Sequence, residues 1–414
     1  MTDSDQLRAA MEVELGREII RLVPQWYEAE CGPMRYAVPI GKYEASFCNH
    51  RAMSPTMDAF LQKIAGRTRE LQLHYFIDLP GLTEVLLESL VVEWLRLHST
   101  TIDWKKLIKY LGALSCRTHE NQPVALNLVI RPGTGVEDVS RPNLQKFFDR
   151  LATSSFSYLA VDPELRLMEY GEVEWAQVKK AAANKCHPEF LHPIHSVMED
   201  EDFSAHLTLQ GDIVIMNKAG LLAAKRQGKW NVYDVQTFKD SLSYCIGNAF
   251  VGMNLFEVLF DLSFKRQGAL LIYDPTHAMR EHIFNTESMV APGWRHGKQP
   301  SSPETATGQI VIARLTENIA IGTRAGSLKR KRRLLEMACV DGAVVFDDHS
   351  LLAVGALVES HPSVGNQLGA RTTAARSAYL WGAHPIIVSS DGDVTIYFQS
   401  KSETAACDAV MHFL

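Results

Sequence analysis

The chain predicts an α/β fold, with a C-terminal mixed β-sheet flanked by helices preceded by an α/β N-terminal domain. Three observations carry that expectation. Short runs of β-prone or wholly apolar residues alternate with stretches of helical periodicity, the pattern of sheets layered with helices. The 414 residues are enough for two or three hydrophobic cores. The rhythm changes after Trp230-Asn231-Val232-Tyr233-Asp234, which sets apart an N-terminal α/β region (1–235), a second domain (236–400) and a C-terminal tail (401–414).

Composition narrows the class further. With 42 basic and 48 acidic residues the net charge is -6, and 46% of residues are hydrophobic. This is the balance of an ordinary folded protein, and it argues against binding nucleic acid by bulk charge. The seven cysteines are scattered and form no C-x-x-C pair, as expected of reduced thiols. The start, MTDSDQLRAAMEVELGREII, carries acids where a signal peptide needs a basic region, so a cytoplasmic location is expected. The most apolar long segment, Gly81 to Leu97, is interrupted by Glu84, Glu88 and Glu93, which predicts a buried amphipathic helix and no membrane span.

Taken in order, Leu7, Met11, Leu15, Ile19, Ile20 and Val23 recur at three- and four-residue steps and predict a helix from Gln6 to about Glu30. Leu71–Leu79 is strand-like, Thr83–His98 and Trp104 to about Leu111 are helical, and Val124–Ile130 is a strand closed by Arg131-Pro132-Gly133. Asn143–Leu151 reads as a helix, Tyr158–Asp162 as a strand, and Leu207–Met216 as one strand ended by Asn217-Lys218-Ala219-Gly220. Leu255 to Pro275 predicts a long helix, a turn at Gly268 and a buried strand. The Gly/Pro/Ser-rich stretch Ala291–Pro303 predicts a surface loop, followed by strands at Gln309–Ala313 and Ile319–Gly322.

Three local clusters read as incidental. Cys186, His187, His192 and His195 lie close in sequence, but Pro188 and Pro193 interrupt the helix that would align them. Cys48-Asn49-His50 has no orienting carboxylate, and Arg131-Pro132-Gly133-Thr134-Gly135 lacks the third glycine of a dinucleotide fingerprint. The run Lys329 to Arg333 reads as a solvated helix face, with a polyphosphate or inter-subunit role as the alternative.

Chemistry concentrates between Val340 and Phe398. Asp341-Gly342-Ala343 sits where the basic helix hands over to the strand Val344–Phe346, and its two small residues admit a ligand close to the backbone. After the turn Asp347–Ser350, Leu351–Val358 returns as a second strand. Gly369-Ala370-Arg371-Thr372-Thr373 then opens a helix that Gly382 stops. Free amides, hydroxyls and an arginine at one helix N-terminus suit phosphate. Pro385–Ser389 and Val394–Phe398 form a hairpin about Asp391-Gly392, leaving Ser389 at a strand end from which its hydroxyl can reach the same phosphates.

This order resembles the diadenylate cyclase domain, the nucleotidyl-cyclase module of the bacterial DNA integrity scanning protein and its relatives. Their hallmarks are an Asp-Gly-Ala motif and a later Gly-Thr-Arg-His-Arg-Ala-Ala motif. Asp341-Gly342-Ala343 matches the first, Gly355 falls where the family has a glycine in the next strand, and Leu262–Tyr273 is similar to its entrance helix and strand. The resemblance covers about residues 245 to 400, with an insertion at about 280–303. In the second motif the first arginine is kept as Arg371, while Thr372 and Thr373 replace the family's histidine and second arginine, and Val340 stands where a histidine is frequent.

The resemblance implies condensation of two ATP into cyclic di-AMP with Mg²⁺ or Mn²⁺, in a homo-oligomer whose cyclase domains meet face to face. It gives Asp341 the catalytic and tentative metal-binding role, Arg371 a catalytic role, and nucleotide binding to Gly342, Ala343, Arg371, Thr372, Thr373 and Ser389. The missing arginine admits an alternative, a nucleotide-binding sensor or scaffold with weakened catalysis. If the domain is active, the Lys329–Arg333 run is the nearest surplus of positive charge, and at least one of its five side chains is expected to reach a triphosphate.

Overall fold

The computed structural model describes residues 18–19, 21–22, 26–28, 34–40, 43–49, 54–70, 82–141, 150–180, 186–291, 294, 328–365, 369–401 and 406–413. The strands expected at Leu71–Leu79, Gln309–Ala313 and Ile319–Gly322, and most of the helix expected at Asn143–Leu151, lie outside them. The protein is α/β with mixed sheets, and it divides into two compact units whose main division falls between Thr237 and Phe238. Among the described residues no helix is long and apolar enough to cross a membrane.

The first unit holds an eight-stranded sheet. Its centre is the parallel pair Leu126–Ile130 and Ser157–Val161, and the neighbours on either side pair antiparallel. Helices Leu82–Arg96 and Trp104–Ser115 form where the periodicity places them. The second begins at Asp103, whose carboxylate accepts the Lys106 N–H at 3.0 Å, and it buries Trp104, Leu107, Ile108, Leu111 and Leu114.

One expected strand is two. Leu207–Met216 is broken into the antiparallel pair Phe203–Leu207 and Ile213–Asn217. The Gly211 N–H donates to the Thr208 carbonyl at 2.9 Å with Gly211 at φ 80°, so turn chemistry outweighs the β-prone run around it. The helix expected to about Glu30 is also curtailed. Glu18, Ile19, Arg21 and Leu22 are helical, but Trp26–Glu28 is a strand, held in an antiparallel ladder with Trp26 opposite His412. Long-range pairing there overrides local periodicity.

The second unit contains the strands β1 (Ala269–Tyr273), β2 (Ala343–Phe346), β3 (Leu351–Ala356), β4 (His384–Val388), β5 (Val394–Lys401) and β6 (Ala406–Phe413), and its helices include α1 (Ala249–Lys265), α2 (Leu328–Ala338) and α3 (Ala370–Leu380). The sheet order is β3-β2-β1-β4-β5-β6, continuing to Trp26–Glu28; β6 thus occupies most of the segment set apart as a tail. β1 and β2 run parallel, with Leu270 opposite Ala343 and Tyr273 opposite Phe346, which requires the long crossover that contains α2. β4 is antiparallel to β1, with Ala269 opposite Val388.

Local signals explain the ends of these elements. Asn248 caps α1 by accepting the Phe250 and Val251 N–H groups at 3.0 and 3.2 Å. Arg266 in the left-handed region (φ 54°) terminates α1, so the chain turns through Gly268 into the wholly buried β1. α3 starts after Gly369 and stops at Gly382, where the Ala383 N–H bonds back to the Ala378 carbonyl at 3.0 Å. The expected insertion is described over residues 280–291. The Phe284 N–H donates to Leu357 O at 2.9 Å, the Glu359 N–H to His282 O at 2.8 Å and the Val290 N–H to Leu352 O at 2.9 Å. Trp294 corrects the expectation of a surface loop at its position, because it is only 1% exposed and packs in one core with Ile272, Met279, Ile283 and Met289; a large indole in a polar stretch finds the apolar layer.

Candidate functional site

The register of three strands brings the predicted residues to one end of the sheet. Asp341 and Gly342 immediately precede β2, Gly268 immediately precedes the parallel β1, and Ser389 immediately follows the antiparallel β4. Arg371, in the first turn of α3, brings its guanidinium over Gly268: a Cβ on that glycine would stand 2.5 Å from the arginine Nη1. Asp341-Gly342-Ala343, Arg371 and Ser389 therefore share one rim with the turn at Gly268. Asp341 and Arg371 are exposed there, and Ala343 is buried beneath them.

The motif glycine acts structurally as well, together with a glycine of the next strand. Gly342 has φ 101°, and a Cβ on it would lie 2.5 Å from the carbonyl carbon of Gly355. Gly355 itself has φ 69° and faces the Asp341 carbonyl. The paired glycines let β2 and β3 approach closely enough to hold Asp341 at the rim.

The hydroxyls differ in what they can offer. Ser389 Oγ accepts the Asp391 and Asp393 N–H groups, both at 3.2 Å, which shapes the hairpin and leaves the hydroxyl proton to donate. Thr373 Oγ1 donates to the Gly369 carbonyl at 3.1 Å, so its proton is engaged within its own helix. Thr372 is half-buried beside it. Among the described residues no side chain caps α3 at Gly369, and its first amides form an anion-accepting end next to Arg371.

The basic helix contributes less free charge than its sequence suggests. Lys331 Nζ lies 2.7 Å from Asp261 Oδ2 and 3.4 Å from Glu257 Oε2, with only 9% of its side chain exposed. Its charge is matched on α1, so Lys331 is not the cation that offsets the missing arginine. The side chains of Lys329 and Arg330 lie outside the described residues. At the opposite end of β1 and β2 the chain is tied closed. The Tyr273 hydroxyl donates to Asp348 Oδ1 at 2.7 Å, and burial followed by that bond pushes the phenol up to about 12. Burial alone would raise the Asp347 carboxyl, but His277 at 3.0 Å and the His349 and Ser350 amides hold it below the usual carboxylate range.

Elsewhere, His192–Val197 is helical despite Pro193, which sits in its first turn where proline is tolerated. The His187 ring lies 5.4 Å from that of His192 and 4.2 Å from that of His195, yet among the described residues no group of three or more His, Cys, Asp or Glu is placed to hold a metal. Two participants of the rim escaped sequence reasoning. Gly268 was legible only as a turn, and the Cys339 thiol, donating to Gln267 Oε1 at 2.9 Å, links the ends of α1 and α2 through residues with no motif.

No protein-family model matches the chain, and no curated protein matches it. Among solved structures it is similar to a double mutant of DacA from Staphylococcus aureus, at 16% identity over 37% of this chain and 83% of that one, with a TM-score of 0.21. It is also similar to the hypothetical membrane spanning protein from Bacillus cereus, at 12% identity over 43% of this chain and 75% of that one, with a TM-score of 0.23.

Proposed function

We propose that the second unit is a diadenylate cyclase that condenses two ATP into cyclic di-AMP and two pyrophosphates, regulated by the N-terminal region. The observation that carries this is the convergence of Asp341-Gly342-Ala343, Arg371 and Ser389 on one rim, set by the register of β1, β2 and β4. The resemblance of the same residues to the family motifs supports it.

In this reading the α3 amides and Arg371 hold the triphosphate and stabilise charge that develops on it. Gly342 and Ala343 let the nucleotide lie against the backbone, and Ser389 donates its hydroxyl proton to a phosphate oxygen. Two chains face each other, each with one ATP. Each 3'-hydroxyl forms a P–O bond to the other nucleotide's α-phosphorus as the α–β bridging bond breaks, and the bonding pair leaves with pyrophosphate. The exposed Asp341 orients the hydroxyl and takes its proton. Mg²⁺ or Mn²⁺ would neutralise phosphate charge; one carboxylate plus substrate phosphates is a donor set such ions accept, so Asp341 fits.

A second reading has its own support. Where the family has an arginine, Thr373 offers no charge and its hydroxyl proton is engaged, which favours a nucleotide sensor with weakened catalysis. Purified protein incubated with ATP and Mg²⁺ or Mn²⁺, with products separated by mass, distinguishes the two. Cyclic di-AMP and pyrophosphate are expected, and Asp341→Asn should abolish both without unfolding the protein. Bound ATP with no product supports the sensor; undiminished turnover by Asp341→Asn sinks the cyclase assignment.

A further inference from the structure

The chain between β1 and α2 does more than cross over. Both Asp274 carboxylate oxygens accept backbone amides, from Ala278 at 2.9 Å and Met279 at 2.8 Å, which fixes the start of a segment that then follows β3. Asn285 clamps it there, donating to Gly355 O at 2.8 Å and accepting the Leu357 N–H at 2.7 Å.

From this segment His282 reaches the far end of α3. Its ring lies flat on Trp381, with centroids 3.6 Å apart and planes 9° from parallel, and its Nδ1 is 3.1 Å from Glu359 Oε2. His361 also meets Trp381, edge-on with centroids 4.3 Å apart. The buried Trp381 indole N–H has no hydrogen-bond partner among the described residues, so stacking positions this ring. The same loop continues to the site: the His361 N–H donates to Ser377 Oγ at 3.0 Å, and that hydroxyl donates to the Thr373 carbonyl at 2.8 Å.

We propose that residues 278–291 are a positioning strap for the candidate site, and that His282 is the positioning residue through which the strap holds α3. The proposal rests on the reading that the N-terminal end of α3 binds nucleotide phosphates. The helix has 11 residues; at 1.5 Å per residue it is about 16 Å long, so a tilt of about 5° at Trp381 displaces Arg371 by about 1 Å. Misplacement on that scale is enough to disable a charge-stabilising site. His282 touches no substrate. It acts by denying α3 that tilt, through the stack on Trp381 and the Glu359 bond.

The test compares full-length wild type, His282→Ala and His282→Phe. Hydrogen exchange is followed at the α3 amides without nucleotide, and ATP affinity is measured with Mg²⁺. His282→Ala should speed exchange across α3 about tenfold, leave the β5–β6 ladder unchanged and weaken ATP binding about tenfold. His282→Phe keeps a flat ring on Trp381 and should restore both to within about threefold of wild type. If the alanine variant does not fold, Glu359→Ala, which removes the partner of His282 Nδ1 and leaves the ring on Trp381, takes its place: it should speed α3 exchange about threefold, and wild-type exchange in it overturns the strap. Unchanged α3 exchange in His282→Ala, or a phenylalanine variant as impaired as alanine, overturns the strap. If α3 loosens as expected but wild type binds no ATP, the strap's hold on the helix stands and the nucleotide reading falls.

Discussion

At the scale of single residues, the glycines of the rim are the sharpest test of how the motif is built. Gly342 combines a left-handed φ of 101° with a Cβ position 2.5 Å from the Gly355 carbonyl carbon, whereas a Cβ on Gly355 would meet nothing nearer than the Asp341 carbonyl oxygen at 3.1 Å. Backbone in the first case cannot move aside cheaply. Gly342→Ala should therefore cost more than the roughly 1–3 kcal/mol of a strained φ alone, and Gly355→Ala should cost less than Gly342→Ala. Urea unfolding of the two variants checks the order; equal losses would mean that the strands part easily and that Asp341 is not held by them.

At the scale of elements, Lys331 ties α2 to α1 through two carboxylates, Asp261 at 2.7 Å and Glu257 at 3.4 Å. Asp261 is 2% exposed and Lys331 9% exposed. Removing the lysine takes away the cation 2.7 Å from the buried Asp261 carboxylate, a loss of about 3–5 kcal/mol in comparable pairs. Lys331→Met should show it in thermal or urea unfolding, and adding Asp261→Leu should recover most of it. A single variant as stable as wild type would show that α2 is held by other contacts.

Elements of this unit were legible where the local signal and the tertiary result agree. Residues 255–275 show why: helical spacing, Gly268 and an apolar run each fix one element. The candidate site residues were legible as motifs, and Gly342 and Ala343 as the motif's two small residues. Lys331 was not, because its partner lies on a helix 70 residues earlier and nothing in a run of five basic residues says which one faces inward. Trp294 and the Trp26–Glu28 strand were hidden for the same reason, since each owes its state to residues far along the chain.

At the scale of the whole molecule, acid should act unequally on the two units. Burial lowers His98, His195 and His206 in the first unit, the last to about 3, while in the second burial lowers His384. His206 is held neutral between two partners: its Nδ1 is 2.8 Å from Asn127 Oδ1 and its Nε2 is 2.9 Å from Ser204 Oγ. Each depressed imidazole contributes stability that is complete above its ordinary value, near 6.5, and is lost as pH falls from there through the lowered value. The first unit should therefore lose stability first between pH 7 and 5, and His206→Gln should flatten that dependence. Separate fluorescence and circular-dichroism transitions across this range measure it; a second unit that fails first refutes the assignment.

The segment fastened along β3 also protects the molecule from its own kind. Without it, β3 would end the sheet as an open row of amides and carbonyls, with Leu351, Leu352 and Val354 in register to receive another chain. Phe284, His282 and Val290 already take or give the hydrogen bonds that such a visitor would seek. A molecule in which this segment comes away thus presents a template for strand addition, and self-association would follow from the loss of a cover even with every core residue in place.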